Sequence, residues 1–356
     1  MLRSFVGTGL AAAALAALMA APASAGCNGS SCVSDAPLAW PGKAQVPPDK
    51  LGSTHEITFN RNGGKTLWIT APNYAGVAQV SLSGSQSFYA MPAGSGPHGI
   101  VFDSAGRLFV TLEDGHAIVR LDPASGKIAA QYPVDADPHG LGLAPDGQTL
   151  WFTAKMKNVV GKISPDGKAI NYAVPTPGAN PIYIAAGPDR NMWFTELTGS
   201  KIGRVTADGV ISEFIIPTEK SRPIAIVRDP SAQAMWFSEE AGNKVARIDM
   251  KGAITEFPVP KWQNNDILAG LAFDDQGNLW TQQYVDQNNS NPPGPDHIVK
   301  IGKSILTAKP SDSLDFTFYE VPTRQTVMHR IIQGPDKNMW FTELKSDRVG
   351  KVLTGE

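Results

Sequence analysis

One unit of about forty residues returns seven times along this chain, and that restricts the fold more than any single motif does. The clearest copy is NPIYIAAGPDRNMWFTELTGSKIGRVTADGVISEFIIP, residues 180–217. Its turn and second strand recur as GGKTLWIT, SAGRLFVT, PDGQTLWFT, PSAQAMWFS, DQGNLWTQ and PDKNMWFT. Trp68, Trp151, Trp193, Trp236, Trp280 and Trp340 hold one place in the unit, and Phe109 takes it in the second copy. The third strand recurs as VAQV, IVRL, VGKI, IGRV, VARI, IVKI and VGKV, and a fourth ends in proline in FYAMP, INYAVP, ISEFIIP, ITEFPVP and FYEVP.

Four short apolar or alternating strands, separated by Gly, Pro, Asp and Asn turns at a period of about 41 to 44 residues, describe a propeller blade. The expected fold is all-β: a seven-bladed β-propeller of four-stranded antiparallel blades. The seventh unit lacks its fourth strand because the chain ends at VLTGE, so an N-terminal strand is expected to close the ring, with APLAWPGKAQVPP as the segment proposed for it. The sixth unit carries extra residues in YVDQNNSNPPGPD and GKSILTAKPSDSLD, and the first of these follows a second strand, which directs it over the face discussed below.

The flanks divide the chain further. Residues 1–25 read as a signal peptide: Arg3, then the apolar run FVGTGLAAAALAALMA, then Ala23-Ser24-Ala25 as a small-residue cleavage site. Residues 26–52 read as an N-terminal strap rich in Pro, Gly, Ser and Ala, and residues 53–356 as the propeller. A secreted or periplasmic location follows, and there Cys27 and Cys32 are expected to form a small disulfide loop. Cys27 also raises lipid anchoring, but Ser24 stands where such signals usually carry an aliphatic residue. A net charge of -2 provides no field for nucleic acid, and no other apolar run is long enough for a membrane span. The expected partner is a small molecule on the channel face of a monomer.

In a propeller the first strand of each blade lines the central channel and the second returns antiparallel to it. The residue before strand one and the residue after strand two therefore approach the same face. Before strand one stand His55, His98, His139, Ile182, Ile224, Ala269 and His329, so four of six histidines share one position. After strand two come Glu113, Lys155, Glu196, Glu239, Gln283 and Glu343, and two places before the histidines stand Asp137, Asn180, Arg222 and Val327. Imidazoles, carboxylates, amides and one guanidinium around a narrow channel suit metal binding or proton transfer. The aspartates of APDGQ, GPDRN and GPDKN are assigned to turns and the tryptophans to packing.

The run GPDRNMWFTELTGSKIGRVTADGVISEF and its copies resemble the streptogramin B lyases, also called virginiamycin B lyases, over roughly residues 53–353. The resemblance implies a carbon–oxygen lyase that opens a cyclic depsipeptide by elimination across its ester. In that family a histidine takes the proton beside the carbonyl, and a magnesium ion held by two carboxylates stabilises the enolate. By position His329 matches the base and Glu343 one magnesium ligand, while Val327 stands where the second carboxylate belongs and Met328 replaces a proline. Asp137-Pro138-His139 is the best local match to carboxylate-Pro-His, but Ala154 replaces the glutamate in that blade. Two other readings stand beside the lyase: a lactonase-like hydrolase holding calcium through Glu196, Glu239 and Asn180, and a ligand-binding or scaffold propeller without catalysis.

Overall fold

Blades 1 to 6 are each built from four consecutive strands, joined mostly by short turns that favour antiparallel pairing of neighbours. The computed structural model describes residues 29–355, and in it seven four-stranded sheets form a ring. Blades 1 to 6 span residues 57–90, 97–133, 138–173, 181–215, 223–258 and 266–320. Blade 7 combines residues 328–352 with the strand Val33–Pro37. The first strands of neighbouring blades touch around the whole circle and enclose the channel. Among the described residues no helix is long and apolar enough to cross a membrane. Residues 1–28, and with them the expected signal peptide and Cys27, lie outside the described residues; Cys32 is disulfide-bonded.

The ring closes antiparallel, with Val33 opposite Val352 and Pro37 opposite Arg348. The closing strand thus lies upstream of the segment expected and shares only Ala36 and Pro37 with it. The reason is local: VSDAP can keep an extended register, whereas the prolines that follow initiate 3-10 turns at Pro41–Gln45 and Pro48–Lys50. Trp40 then anchors the strap by packing on Tyr74 and Phe88 and donating its indole N–H to Thr54 at 2.9 Å. Asp35 fixes the closure electrostatically, since Arg348 reaches it at 2.6 Å.

Inside a blade the repeated tryptophan lies flat against the aromatic residue of strand four. Trp193 stacks on Phe214, Trp236 on Phe257 and Trp280 on Tyr319 at 5.5–5.7 Å between ring centres. The turn aspartates answer the buried indole N–H, as in Trp193 to Asp189 at 2.9 Å and Trp340 to Asp336 at 2.8 Å. This explains why the Asp-x-x-x-Trp spacing recurs. The glycine of the third strand is required by the same packing: a Cβ on Gly203 would lie 2.0 Å from the Phe194 ring.

Candidate functional site

The channel histidines owe their position to an irregularity repeated in the innermost strands. Pairing slips between Pro97 and Ile100, Pro138 and Leu141, Pro181 and Ile184, Pro223 and Ile226, Leu268 and Leu271, and Met328 and Ile331. A bulge of this kind frees backbone groups from the ladder and re-aims side chains. Here the second strand supplies the missing partners. Thr153 accepts from Gly140 N at 3.0 Å and donates to Ile182 O of the next blade at 2.6 Å. Thr70, Thr111, Thr195 and Ser238 donate in the same way to His98, His139, Ile224 and Ala269. In blade 6 Gln282 performs this role towards Gly270 N and Arg330 O, and Thr342 returns the chain of bonds to His55 O at 2.6 Å. A Thr or Ser hydroxyl, or in blade 6 the Gln282 amide, thus locks each blade to its neighbour at the channel wall.

Where this backbone girdle holds them, four imidazoles stack along one side of the channel. Ring centres of His329 and His55 lie 3.6 Å apart, His55 and His98 3.9 Å, and His98 and His139 3.7 Å. Next to His329 stand three residues from the following position of the unit: Glu56, Tyr183 and Arg330. Tyr183 donates its phenol proton to Glu56 Oε1, and its oxygen lies 2.8 Å from His329 Nε2. Arg330 Nε approaches Glu56 Oε2 at 3.4 Å, and its guanidinium covers the Tyr183 ring at 4.4 Å. At the other end His139 Nδ1 meets Glu113 at 3.1 Å, and Lys155 meets the same carboxylate at 2.8 Å.

The electrostatics follow from this arrangement. Burial, reinforced by neighbouring imidazoles, lowers His55 to about 3 and pushes His98 well below the ordinary histidine range; burial likewise lowers His139. These three rings are therefore neutral near pH 7. Burial opposes charge on Glu56, but the charge of Arg330, with the imidazoles of His329 and His55 beside it, holds its carboxyl well below the usual range. Burial, with the Glu56 charge beside it, raises Tyr183. An ionised Glu56 can only accept, so it takes the single phenol proton. The phenol oxygen is then left to accept from His329 Nε2–H, and in the neutral ring with that tautomer the lone pair lies on Nδ1.

The remaining residues of the channel inventory are engaged by other groups. Asp137 accepts from Met156 N and Lys157 N at 2.8 and 3.0 Å and so caps a turn. Asn180 adopts a left-handed φ of 50° and gives its carbonyl to Leu197 N. Arg222, also left-handed, pairs with Glu240 at 2.6 Å, and Gln283 is buried against Pro260 O and Asn243.

Glu196, Glu239 and Glu343 repeat one environment, each buried beneath its own strand 2–3 turn. In each case the nearby cation is already engaged by another carboxylate: Lys201 by Glu213, Lys244 by Glu256, and Arg348 by Asp35, at 2.6–2.8 Å. Neither oxygen of Glu196 or Glu239 has a partner, and Glu343 keeps only Ser346 at 2.7 Å. Burial, with the second carboxylate adding to it, raises all three to about 8. They are predominantly neutral acids at pH 7.

Comparison with known proteins decides the family. The profile of the Virginiamycin B lyase family matches residues 44–289, more than half of the chain. The chain belongs to the virginiamycin B lyase family. A virginiamycin B lyase of Nocardia farcinica is 30% identical over 131 residues, which is 36% of this chain and 45% of that protein. The alignment therefore spans less than half the length of that relative. Among solved structures, a streptogramin B lyase superposes with a TM-score of 0.74 at 25% identity, covering 90% of this chain and 97% of that one. The virginiamycin B lyase of Staphylococcus aureus gives 0.72 at 27% identity over 90% and 99%. A catalytically inactive form of that enzyme, solved with quinupristin, gives the same values.

Magnesium, which the family resemblance implies, asks for oxygen ligands in near-octahedral array. At the two carboxylate positions of blade 7 this chain offers Val327, an alkyl group, and Glu343, which accepts from Ser346 and lies near Asp35 and Arg348. The atoms that meet at His329 are mostly imidazole nitrogens, and the one carboxylate there is held by Tyr183 and Arg330. This donor set does not fit magnesium. Glu196 and Glu239 lie in separate blades, each beneath its own strand 2–3 turn, and so do not form one pair of ligands for calcium.

Proposed function

We propose that the chain is an exported carbon–oxygen lyase that opens a cyclic ester or depsipeptide by elimination, with His329 as the base. The observation that carries this reading is the Glu56–Tyr183–His329 relay, which fixes the tautomer and orientation of one imidazole among four. The Nδ1 lone pair of His329 would take the proton from the carbon beside the substrate carbonyl. The electron pair left behind forms the new carbon–carbon double bond as the ester alkyl C–O bond breaks, and the ester leaves as a carboxylate without consuming water. Charge developing on the carbonyl oxygen requires a fixed donor. Arg330 suits this: it is cationic, and its buried Nη1 has no partner.

Chromatography with fragmentation mass spectrometry, which tells a linear product from a cyclic isomer of equal mass, separates this reading from its alternatives. With quinupristin, the ligand of the related inactive enzyme, elimination gives a linear product of the same mass as the substrate, whereas a hydrolase adds one water. A purely binding propeller leaves the depsipeptide cyclic. Placed general bases contribute about 10²–10⁴-fold, so His329→Ala should lower turnover by at least about 100-fold while the chain remains folded. Unchanged turnover in a folded His329→Ala protein refutes His329 as the base.

A further inference from the structure

The histidine stack has a property that proton abstraction does not use. Nδ1 of His55 and Nδ1 of His98 are buried and have no hydrogen-bond partner. Glu56 Oε1 lies 3.7 Å from His55 Nδ1, beyond hydrogen-bonding reach. Unanswered buried nitrogens are destabilising, and they stand here in adjacent blades against a third imidazole. One ring nitrogen from each of His55, His98 and His329 falls within 4.8 Å of the other two.

We propose that His55, His98 and His329 form a binding site for a divalent transition-metal ion of zinc type, distinct from any oxygen-ligated magnesium site. Three imidazoles suit zinc or cobalt, which take histidine nitrogen at about 2.0–2.1 Å and leave a fourth position open. Closing three nitrogens from 4.8 Å onto one ion asks for movements of about an ångström, within reach of side-chain rotation. With Nδ1 of His329 as the ligand, a second shell is in place, because Tyr183 lies 2.8 Å from Nε2 of that ring and donates in turn to Glu56, as hydroxyls and carboxylates do behind metal-bound histidines. Nearby charges balance: Glu56 faces Arg330 and Glu113 faces Lys155, so no fixed net positive field repels the ion. A second grouping, His98, Glu113 and His139, also comes within 4.8 Å, but its carboxylate is already engaged by Lys155 and His139. The His329 lone pair cannot serve as ligand and base together, so ion binding and elimination would exclude one another.

The test uses no substrate, so its failure and that of the lyase reading are separable. The untagged full chain, stripped with chelator, is titrated with Co2+ and followed by visible absorption, and Zn2+ displacement is read in the same cuvette. The expected result is one equivalent of Co2+ with the intense bands of a four-coordinate site, lost on addition of Zn2+. His98→Gln and His55→Gln should each weaken binding by at least about tenfold. His116→Gln, whose ring bonds Ala136 O outside the cluster, should leave it unchanged. Thermal unfolding of each variant confirms that it is folded, and metal should raise the wild-type midpoint but not that of His98→Gln. Absence of saturable binding, or binding that His98→Gln and His55→Gln leave intact, overturns the proposal. Binding lost only in Glu113→Gln moves the site to the second grouping and overturns it equally.

Discussion

Glu239 allows the strongest quantitative test, because its side chain is fully buried, neither oxygen has a partner, and Lys244 is already engaged by Glu256 at 2.8 Å. The folded chain holds the carboxyl at about 8 against an ordinary 4.5, so between those values the native state binds a proton that the unfolded chain has released. Stability must therefore fall as pH rises through this window. At about 1.4 kcal/mol per pH unit the loss from this one group has a ceiling of about 5 kcal/mol. Glu239→Gln has nearly the same shape and cannot ionise. Near pH 5 the variant should match wild type or be less stable by about 1–2 kcal/mol, the cost of an amide with no better partners. Near pH 9 it should be the more stable protein by several kcal/mol, still below that ceiling. Glu196 and Glu343 keep titrating in both proteins, so the difference between the two denaturation curves at each pH isolates Glu239. Parallel stability profiles, or a variant that grows relatively weaker as pH rises, would refute the neutral-acid assignment. The second outcome would instead indicate an ionised Glu239 engaged by a cation, as the calcium reading requires.

Two further outcomes test the backbone around the site. Val327 adopts a left-handed φ of 47°, unfavourable for a β-branched residue, at the place where Asn180 adopts 50°. Val327→Asn should therefore raise stability by about 1 kcal/mol in chemical denaturation; a lowered midpoint would mean that its apolar packing outweighs the strain. Thr153→Val keeps the volume but deprives Gly140 N and Ile182 O of their shared hydroxyl, and should cost about 2–4 kcal/mol, with Thr153→Ser restoring most of it. Equal stability of the Val and Ser variants would show that the hydroxyl girdle does not hold the blades together.

The repeat made the fold legible because each blade meets the same demands: an indole to stack, an aspartate to answer its N–H, a glycine under a phenylalanine ring. The closing strand was harder to locate, since VSDAP is a single short strand with no second copy for comparison, and its identity depends on pairing with residues more than three hundred positions away. The shared place of the histidines could also be read directly, because a propeller brings equivalent residues of its first strands to one channel. Glu196, Glu239 and Glu343 could not be separated from that channel by position alone. They end the second strand near the same face, but whether each side chain turns to the axis or beneath its own turn depends on a rotamer and on which neighbour has already taken the lysine or arginine.

The residues that reading missed follow from one assumption about strands. Strict alternation sends the neighbour of an inward-facing residue to the opposite face. At that neighbouring position stand Glu56, Gly99, Gly140, Tyr183, Ala225, Gly270 and Arg330. The repeated bulge breaks the alternation, so this second position also reaches the channel wall, where the next blade passes so closely that a Cβ on Gly140 would lie 2.2 Å from Ile182 O. Four blades accept the constraint with glycine or alanine. The other three place a carboxylate, a phenol and a guanidinium there, and those three meet one another and His329. A large polar residue where its sister blades keep glycine or alanine was thus the available signal. It separates the residues that give His329 its tautomer from those that merely hold the ring together, and it explains how a blade carrying Val327 in place of a carboxylate can still present an oriented imidazole beside a cationic donor.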